Sequence, residues 1–385
     1  MATDCDVAVV GAGLVGAAIA VGLHRLGLRV RLLDRGLPAE GADDYDLRVY
    51  AISPASAQFL DDIGAWNAIV AERVSAYTHM QVWEAEPGGA LHFDASDVRL
   101  PALGHIVESR VIQRHLLDAL PAGVLREGVT VTACEVDDGA ATLRLARGAP
   151  LRASLVVAAD GARSPLREAV GIEVMGHPYE QTAVVCHVRT ERPHRATAYQ
   201  RFLDTGPLAL LPLADGRSSI VWSSVEAPAL MALDDAAFCE ALGEACQHVL
   251  GRILDCTRRL AFPLALQQAQ DYVRPRCVLA GDAAHVVHPL AGQGVNLGFG
   301  DAQCLIETLA GARRLRRDIG GLRVLQRYQR SRKAAVVEMM AVTDGLYRAY
   351  RFRQPAWQWL RQRGLSLVGR ADPLRQALVR RACGL

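Results

Sequence analysis

The sequence has 385 residues, of which 51% are hydrophobic and 22% charged, and its formal net charge is +2. This length predicts two or three packed units, and this composition excludes an intrinsically disordered chain. A charge so close to neutral argues against a dedicated nucleic-acid binder. The nine cysteines show no C-x-x-C spacing, which argues against a disulfide framework or a zinc site, so we expect no metal.

The N-terminal segment predicts a βαβ unit. A β-branched run at 6–10 indicates a buried strand, 11–27 a helix, and 29–34 the next strand. Residues 48–74 are predicted to be helical, with Ser53 placed before Pro54 as a first-turn signal. The glycines in the first apolar stretch, and the absence of any uncharged apolar run of 18 residues, argue against a signal peptide or a membrane span.

The rest of the chain alternates between strand and helix patterns. Alternating segments fill 75–107, and several more strands are predicted between 180 and 225. The other predicted elements are a helix at 109–120, strands at 129–136, 141–146, 155–160 and 277–282, and mostly helical structure from 293 onward. Rossmann-type segments therefore occur early, in the middle and late in the chain, with two β-rich insertions between them.

The first motif that carries chemistry is G-A-G-L-V-G at 11–16. Gly11 permits a tight strand-to-helix turn, Gly13 lets the backbone approach a pyrophosphate, and Gly16 lets helix and strand pack closely. The amides and dipole of the helix N-terminus attract a diphosphate. Asp34, at the end of the next strand, can bind ribose hydroxyls. These residues leave the choice between FAD and NAD open.

Two further motifs follow predicted buried strands. Asp160-Gly161 ends one strand and is followed by Arg163, a pattern that an ordinary polar loop explains equally well. Gly281-Asp282 ends another strand and precedes a Pro- and Gly-rich loop, with a helix that starts near Gln293. Asp282 can bind a ribityl hydroxyl, and amides between Gly292 and Asn296 can face a ring carbonyl that becomes negative on reduction.

Together the three motifs resemble those of the flavoprotein aromatic hydroxylases. The stretch HPLAGQGVNLGFGD at 288–301 resembles the signature of the ubiquinone-biosynthesis hydroxylases, most closely the bacterial subgroup that acts on polyprenyl-methyl-methoxy-benzoquinol. The resemblance spans essentially the whole chain. It also covers the segments 46–66, 100–120, 206–213 and 325–333.

The resemblance implies a set of functional residues. Arg48 matches an arginine near the reactive face of the flavin, Arg110 a second polar flavin contact, and Asp160 an aspartate that serves both FAD and NAD(P)H. The candidate catalytic residues are Arg48 and Pro289. The predicted cofactor-binding residues are Gly11, Ala12, Gly13, Leu14, Val15, Gly16, Asp34, Arg35, Arg48, Arg110, Asp160, Gly281, Asp282, Gly292, Gln293, Gly294 and Asn296.

The implied fold is α/β: a discontinuous Rossmann-type FAD-binding domain with an inserted β-sheet substrate domain and a helical C-terminal tail. The FAD-binding domain is expected to comprise 1–74, 108–174 and 271–340. The substrate domain is expected to comprise 75–107 and 175–270, and the tail 341–385. Tyr199, Gln200 and Trp222 lie on predicted strands of the substrate domain, where core packing is a more frequent role than pocket lining. His285 and His288 are likewise expected to pack or hydrogen-bond the flavin loop rather than to act as bases.

The implied reaction uses NADPH or NADH to reduce FAD, and then O2 to hydroxylate a polyprenylated phenol or quinol. Two alternatives stay open: a hydroxylase of a small soluble phenol, and a non-catalytic flavoprotein subunit of a quinone-biosynthesis assembly. We expect a cytoplasmic protein, peripheral at the inner membrane or bound to such an assembly. The final forty residues hold nine arginines, several aromatic residues and the single acid Asp372. This pattern suits a membrane surface or a partner protein, and a packed helical face is the alternative.

Overall fold

The computed structural model describes residues 3–37, 45–84, 91–287 and 293–351, together with residues 380, 383 and 384. Within these ranges the strands are β1 (Cys5–Val10), β2 (Val30–Leu33), β3 (Val49–Ile52), β4 (Ser75–Tyr77), β5 (His79–Trp83), β6 (Leu91–Asp94), β7 (Gly104–Glu108), β8 (Leu125–Arg126), β9 (Val131–Val136), β10 (Ala141–Leu145), β11 (Leu151–Ala158), β12 (Val174–Thr190), β13 (Thr197–Leu203), β14 (Gly206–Pro212), β15 (Ser218–Ser224), β16 (Ile253–Cys256), β17 (Leu260–Ala269), β18 (Val273–Arg274), β19 (Cys277–Leu279) and β20 (His285–Val286).

The helices of the same ranges connect or cover these strands. They are α1 (Leu14–Arg25), α2 (Pro54–Asp62), α3 (Trp66–Glu72), α4 (Ser109–Asp118), α5 (Pro165–Ala169), α6 (Ala227–Ala232), α7 (Asp235–Ala245), α8 (Gln293–Arg314) and α9 (Leu322–Arg351). Two short 3-10 helices lie at Ala95–Val98 and Gly281–Ala283. Helix α9 passes position 341, where the predicted tail begins. No helix in the described part of the chain is long and apolar enough to cross a membrane.

The first sheet has the strand order β18-β19-β11-β1-β2-β8, with β10 and β9 attached to β11. Strands β2, β1, β11 and β19 are mutually parallel. Because parallel strands align their carboxyl ends, the turns after all four lie at one edge of the sheet, where α/β proteins bind ligands. This arrangement collects the three motifs of the sequence at one place.

The second sheet has the order β20-β17-β12-β15-β14-β13-β5-β6, and β16 pairs with β12. Its pairings are antiparallel except for that between β13 and β5. One face packs a hydrophobic cluster against α6 and α7, in which Phe238 lies beside Trp222 at a ring-centroid distance of 6.2 Å. Successive side chains of each strand therefore point alternately to this covered face and to the opposite face.

The third sheet, β3-β7-β4, corrects one prediction. Residues 49–52 are a strand and not the start of a helix, since Val49 to Ile52 pair antiparallel with β7. Their β-branched and aromatic side chains suit a strand, and this non-local pairing is invisible to a local helical pattern. The helical part begins at Pro54, with the Ser53 hydroxyl accepting a hydrogen bond from the Ser56 amide at 3.2 Å. The α/β class and the helical C-terminal end are confirmed.

Truncation of Phe238 tests how α7 supports the second sheet. Its side chain is fully buried, with the Arg259 guanidinium 4.8 Å from the ring centroid. We expect Phe238→Ala to lower the free energy of unfolding by about 3–5 kcal/mol, because it leaves a large cavity. The control Leu254→Ala, at a side chain that is 54% exposed, should change it by less than about 0.5 kcal/mol. Urea unfolding midpoints measure both changes, and equal shifts for the two variants would contradict this packing.

Candidate functional site

The glycine turn between β1 and α1 is packed directly against the backbone of the turn after β11. Gly11 has φ +100°, and a Cβ there would lie 2.2 Å from the Ala159 carbonyl oxygen. A Cβ on Gly16 would lie 1.9 Å from the Gly11 oxygen, whereas a Cβ on Gly13 would meet nothing within 4 Å. Gly11 and Gly16 are therefore required for packing, while Gly13 leaves open space at the N-terminus of α1.

Helix α1 begins at Leu14, and the Ala17 amide donates to the Gly13 oxygen at 2.9 Å. The amides of its first turn lie at the positive end of the helix dipole, beside the open Gly13 backbone. The side chain of Leu14 is buried, so its contribution to a ligand is its backbone. The Val15 side chain instead packs close to Gly281 and Gly298. This geometry fits a diphosphate, and it supports the first part of an FAD site.

Asp34 faces the glycine turn from the end of β2. Its carboxylate accepts hydrogen bonds from the Ala12 amide at 2.7 Å and from the Gly36 amide at 2.8 Å. Each carboxylate oxygen retains acceptor capacity for a ribose hydroxyl. Arg35 follows as an exposed side chain at the same strand end. The structure thus brings Asp34 to the turn, with an orientation that its own loop fixes.

Gln113, on α4, is a residue of this region that the sequence did not reveal. Its Nε2 donates to the Ala12 oxygen at 2.7 Å, so both peptide groups of Ala12 are held by protein partners. The available signal was its position three residues after Arg110, since residues three apart share a helix face. Arg110 itself lies with a guanidinium nitrogen 3.8 Å from a Glu108 carboxylate oxygen.

Asp160 lies in the turn after β11, and its carboxylate binds the start of the short helix α5. Its carboxylate accepts a hydrogen bond from the Ser164 hydroxyl and another from the Leu166 amide at 3.1 Å. Burial raises the pKa of Asp160, and these hydrogen bonds oppose that rise. The buried Arg167 links this turn to the next motif, because it donates to the Ala283 oxygen at 2.9 Å.

Asp282 follows β19 at the same edge of the sheet. Solvent reaches its side chain, yet the protein around it raises the carboxyl pKa by desolvation, an effect that His285 and Arg48 oppose. Gly281 before it has φ +59°, which places the backbone in the left-handed region that glycine tolerates. The turn therefore presents a solvent-accessible carboxylate directly after a glycine.

A fully buried carboxylate, that of Asp301 on α8, holds this turn in place. It accepts hydrogen bonds from the Gly281 amide at 2.8 Å, from His285 Nε2 at 2.7 Å and from Arg332 Nε at 2.6 Å. Burial alone would raise the pKa of Asp301, but His285 and Arg332 keep it below its usual value. His285 thus hydrogen-bonds the carboxylate that holds this turn, in agreement with the hydrogen-bonding role expected for it.

The start of α8 lies next to the third sheet. Asn296 accepts from the Ser53 amide at 2.9 Å and donates to the Ala51 oxygen at 2.8 Å. Gln293 begins the helix, and a Cβ on Gly294 would meet nothing within 4 Å. Pro289 and Gly292, which the sequence also proposed, lie outside the described residues, as does His288.

Arg48 links the third sheet to the second. It precedes β3 of the third sheet, and its guanidinium lies over the ring of Phe262 on β17 at 5.1 Å from the centroid. It also lies close enough to Asp282, after β19, to oppose the rise in that carboxyl pKa. Nearby, Tyr50 has its pKa raised by burial and by Asp282. Arg48 therefore packs against the second sheet while it lies within electrostatic range of the Asp282 carboxylate.

The strand aromatics of the second sheet are mostly core. Trp222 belongs to the cluster under α7, and Tyr199 packs against it. The ring of Tyr199 also lies 6.3 Å from that of Trp83. Gln200 is buried on the alternate side of β13. Within the described ranges no three His, Cys, Asp or Glu side chains are placed to hold a metal ion.

The fold and the site define a dinucleotide-binding α/β protein with a second sheet facing its binding edge. A protein-family model described as an FAD binding domain matches residues 4–343. The 3-demethoxyubiquinol 3-hydroxylase of Escherichia coli strain K12 is 36% identical over 388 residues, which cover 99% of this chain and 98% of that protein. Ubiquinone hydroxylase UbiL of Rhodospirillum rubrum is 37% identical, with 98% and 89% covered.

A human relative, the mitochondrial ubiquinone biosynthesis monooxygenase COQ6, is 34% identical, with 98% of this chain and 92% of that protein covered. Solved structures show the same fold at lower identity. The p-nitrophenol 4-monooxygenase PnpA of Pseudomonas putida DLL-E4 superposes with a TM-score of 0.79 at 20% identity, covering 98% and 97% of the two chains. HpxO of Klebsiella pneumoniae, solved with FAD and uric acid, superposes with a TM-score of 0.78 at 19% identity, covering 98% and 96%.

The chain belongs to the FAD-binding domain family and, within it, to the hydroxylases of ubiquinone biosynthesis. It is an FAD-dependent monooxygenase, as its sequence motifs predicted.

The open space at Gly13 generates a direct test of the nucleotide site. We expect Gly13→Val to fold but to retain less than about a tenth of the FAD of the wild type, because the branched side chain occupies the space that the diphosphate must approach. Gly311→Val is the matched control, since a Cβ on Gly311 also meets nothing within 4 Å, at a position far along α8 from the glycine turn. Flavin absorbance per chain after gel filtration measures retention. Wild-type FAD content in Gly13→Val would contradict this placement of the site.

Proposed function

We propose that this protein hydroxylates the aromatic ring of a polyprenylated phenol or quinol intermediate of ubiquinone biosynthesis, using NADPH or NADH and O2. The observation that carries the proposal is that the open backbone at Gly13, the Asp34 carboxylate and the turn at Asp282 lie at one edge of the first sheet. Arg48, which precedes β3, lies over the Phe262 ring of the second sheet. The relatives whose names state a ubiquinone-pathway hydroxylase or monooxygenase align over nearly their full length.

We assign the parts of FAD to residues by their chemistry. The α1 N-terminus at Gly13 to Gly16 would hold the diphosphate, and Asp34 the adenosine ribose, with Arg35 beside it. Asp282 and the start of α8, including Gln293, Gly294 and Asn296, would line the ribityl chain and the ring. Arg48 and Arg110 would contact the ring system, and the turn at Asp160 would serve FAD and the nicotinamide cofactor. Bound FAD supplies electron transfer from NAD(P)H and activation of O2.

In this proposal the protein itself positions the substrate ring and excludes water. The face of the second sheet turned away from α7 includes the small side chains Ala183 on β12 and Ser219 and Ser223 on β15, all buried. Other parts of the protein cover these side chains, and Phe262 supplies an apolar contact next to Arg48. The segments 75–107 and 175–270 would form this substrate domain, and 1–74, 108–174 and 271–340 the FAD-binding domain.

Analysis of quinone intermediates tests the substrate class. Deletion of the gene should cause a polyprenylated intermediate that lacks one ring hydroxyl to accumulate, as measured by mass spectrometry of lipid extracts. The wild type and Gly311→Val should restore the mature quinone, and Gly13→Val should not.

An unchanged quinone profile would contradict the lipid substrate and favour a small soluble phenol. Loss of the quinone together with a purified flavoprotein that NAD(P)H does not reduce would contradict a catalytic role. That result would favour a non-catalytic subunit of a biosynthetic assembly.

A lipid substrate requires contact with a membrane or with a partner that delivers it. We propose peripheral docking through the arginine-rich tail, of which the structure describes only the end of α9 and residues 380, 383 and 384. Each cation near an anionic bilayer contributes about 1 kcal/mol, in a salt-sensitive way. We expect replacement of Arg348, Arg351, Arg353, Arg361 and Arg363 by Gln to reduce sedimentation with anionic liposomes at least severalfold. Activity on a short-chain analogue should be retained.

The control variant removes the same charge elsewhere. It replaces five exposed arginines outside the tail, Arg147, Arg192, Arg258, Arg317 and Arg323, and should sediment like the wild type. Equal loss in both variants would show a general charge effect and would contradict docking by the tail.

A further inference from the structure

Glu108, at the end of β7, has a carboxylate that is 2% exposed and belongs to none of the residue sets assigned above. Its Oε1 accepts from the Asp46 amide at 2.7 Å and from an Arg73 terminal nitrogen at 3.1 Å. Its Oε2 accepts from Arg73 Nε at 2.6 Å. Arg110 lies at 3.8 Å. One buried carboxylate therefore contacts both a backbone amide next to Arg48 and the side chain of Arg110.

The next peptide group, which contains the Asp46 carbonyl, is held as well. His187, buried on β12, shares a hydrogen bond of 3.1 Å with the Asp46 oxygen, and since that oxygen only accepts, His187 Nε2 carries the proton. Burial lowers the pKa of His187, which favours the neutral ring. Glu108 and His187 thus fix the two successive peptide groups on either side of the Asp46 α-carbon, between the third and second sheets.

Hydrogen bonds link this segment to the backbone of Arg48. The Asp46 carboxylate accepts from the Arg48 amide at 3.0 Å, and the Arg48 oxygen accepts from the Ser109 amide at 2.8 Å. Ser109 directly follows Glu108 in the chain. The backbone of Arg48 is therefore tied on both sides to groups that Glu108 holds.

An aromatic stack covers the outer side of this arrangement. The Arg73 guanidinium lies 4.1 Å from the centroid of the Tyr45 ring, and the Arg217 guanidinium lies 5.0 Å from the same centroid. Tyr45 precedes Asp46 directly, so the stack restrains the same segment from which Arg48 extends. Cations stacked on an aromatic face are held in place by the ring quadrupole.

We infer that Glu108 is a positioning residue: through the Asp46 amide and Arg110 it sets the place of Arg48 and Arg110, the two side chains proposed to contact the flavin ring. The role of these two arginines rests on the proposed function. The hold on Asp46 does not, since it is a property of the protein alone. Without this hold, Arg48 and Arg110 are no longer kept in place. The reduced enzyme should then convert O2 to hydrogen peroxide instead of hydroxylating its substrate.

The donor pattern predicts that glutamine cannot replace Glu108. Both carboxylate oxygens accept hydrogen bonds, so an amide nitrogen at either position would face a donor. Glu108→Gln keeps the size of the side chain and removes this complementarity. If Glu108→Gln does not accumulate, Glu108→Asp carries the test, because the shorter carboxylate keeps its charge near Arg73 and cannot reach both donors.

The exposed pair Glu135–Arg144 provides a matched control. Its fork has the same geometry, with Arg144 Nε to Glu135 Oε1 at 2.6 Å and a terminal nitrogen to Oε2 at 3.1 Å. Glu135 lies on β9, away from the cleft. Glu135→Gln therefore removes an equivalent ion pair without touching Asp46.

The first measurement is hydrogen–deuterium exchange of the FAD-loaded protein over the peptide that contains Asp46. We expect Glu108→Gln to raise this exchange rate about tenfold or more, Arg73→Lys to raise it clearly less, and Glu135→Gln to leave it unchanged. Arg73→Lys gives up the fork but leaves the Asp46 amide bonded to Glu108. The second measurement is the fraction of NAD(P)H electrons recovered in product rather than in hydrogen peroxide, which should fall severalfold in Glu108→Gln alone.

Three results would overturn the inference. One is wild-type exchange over Asp46 in Glu108→Gln. Another is an exchange increase spread evenly over the whole chain, which indicates a purely structural role. The third is an equal rise in the exchange rate around Asp46 in Arg73→Lys. That result would assign the restraint to the Arg73–Glu108 ion pair and not to the hydrogen bond from the Asp46 amide. Wild-type coupling in Arg48→Met, with Asp46 loosened only in Glu108→Gln, would contradict the proposed role of Arg48 while leaving the hold on Asp46 intact.

Discussion

The packing of the Gly11 backbone against the Ala159 carbonyl is the contact on which the rest of the site depends. A Cβ at Gly11 would lie 2.2 Å from that oxygen, so the turns after β1 and β11 can approach only through glycine. This approach opens the N-terminus of α1 at Gly13 to a ligand. It also brings the turn at Asp160 beside the dinucleotide edge. The parallel neighbours β2 and β19 then add Asp34 and Asp282 at the same edge.

The second constraint is that reactive groups come from different sheets and must be fixed relative to one another. Two buried carboxylates do this. Asp301 joins α8, α9 and the turn before Asp282 through the Gly281 amide and Arg332. Glu108 joins the third sheet to the segment of Arg48 through the Asp46 amide. Each buried charge is matched by an arginine and by a backbone donor, which offsets the cost of removing it from water.

The sequence predicted the parts of this molecule that depend on local pattern. The glycine turn, the acid at the end of β2 and the two later strand-end motifs follow from strand, turn and helix signals within a few residues. Strand β3 was missed because its partner β7 is distant in the chain. The positions of Asp301 and Arg332 could have been noticed in the sequence, because each charge occupies an apolar helix face. Asp301 lies four residues from both Leu297 and Leu305. Arg332 lies four residues from both Tyr328 and Val336. Which charges meet is set by tertiary packing, which local periodicity does not contain.

In the proposed reaction the FAD-loaded protein inserts an oxygen atom from O2 into an aromatic ring. Incubation of the FAD-loaded protein with NAD(P)H, a short-chain polyprenylated quinol precursor and isotopically labelled O2 tests it most directly. Mass spectrometry of the product should find one heavy oxygen atom in the new ring hydroxyl, and light oxygen when the label is in water instead. A hydroxyl whose oxygen comes from water, or NAD(P)H oxidation that yields only hydrogen peroxide with every precursor supplied, would contradict the account.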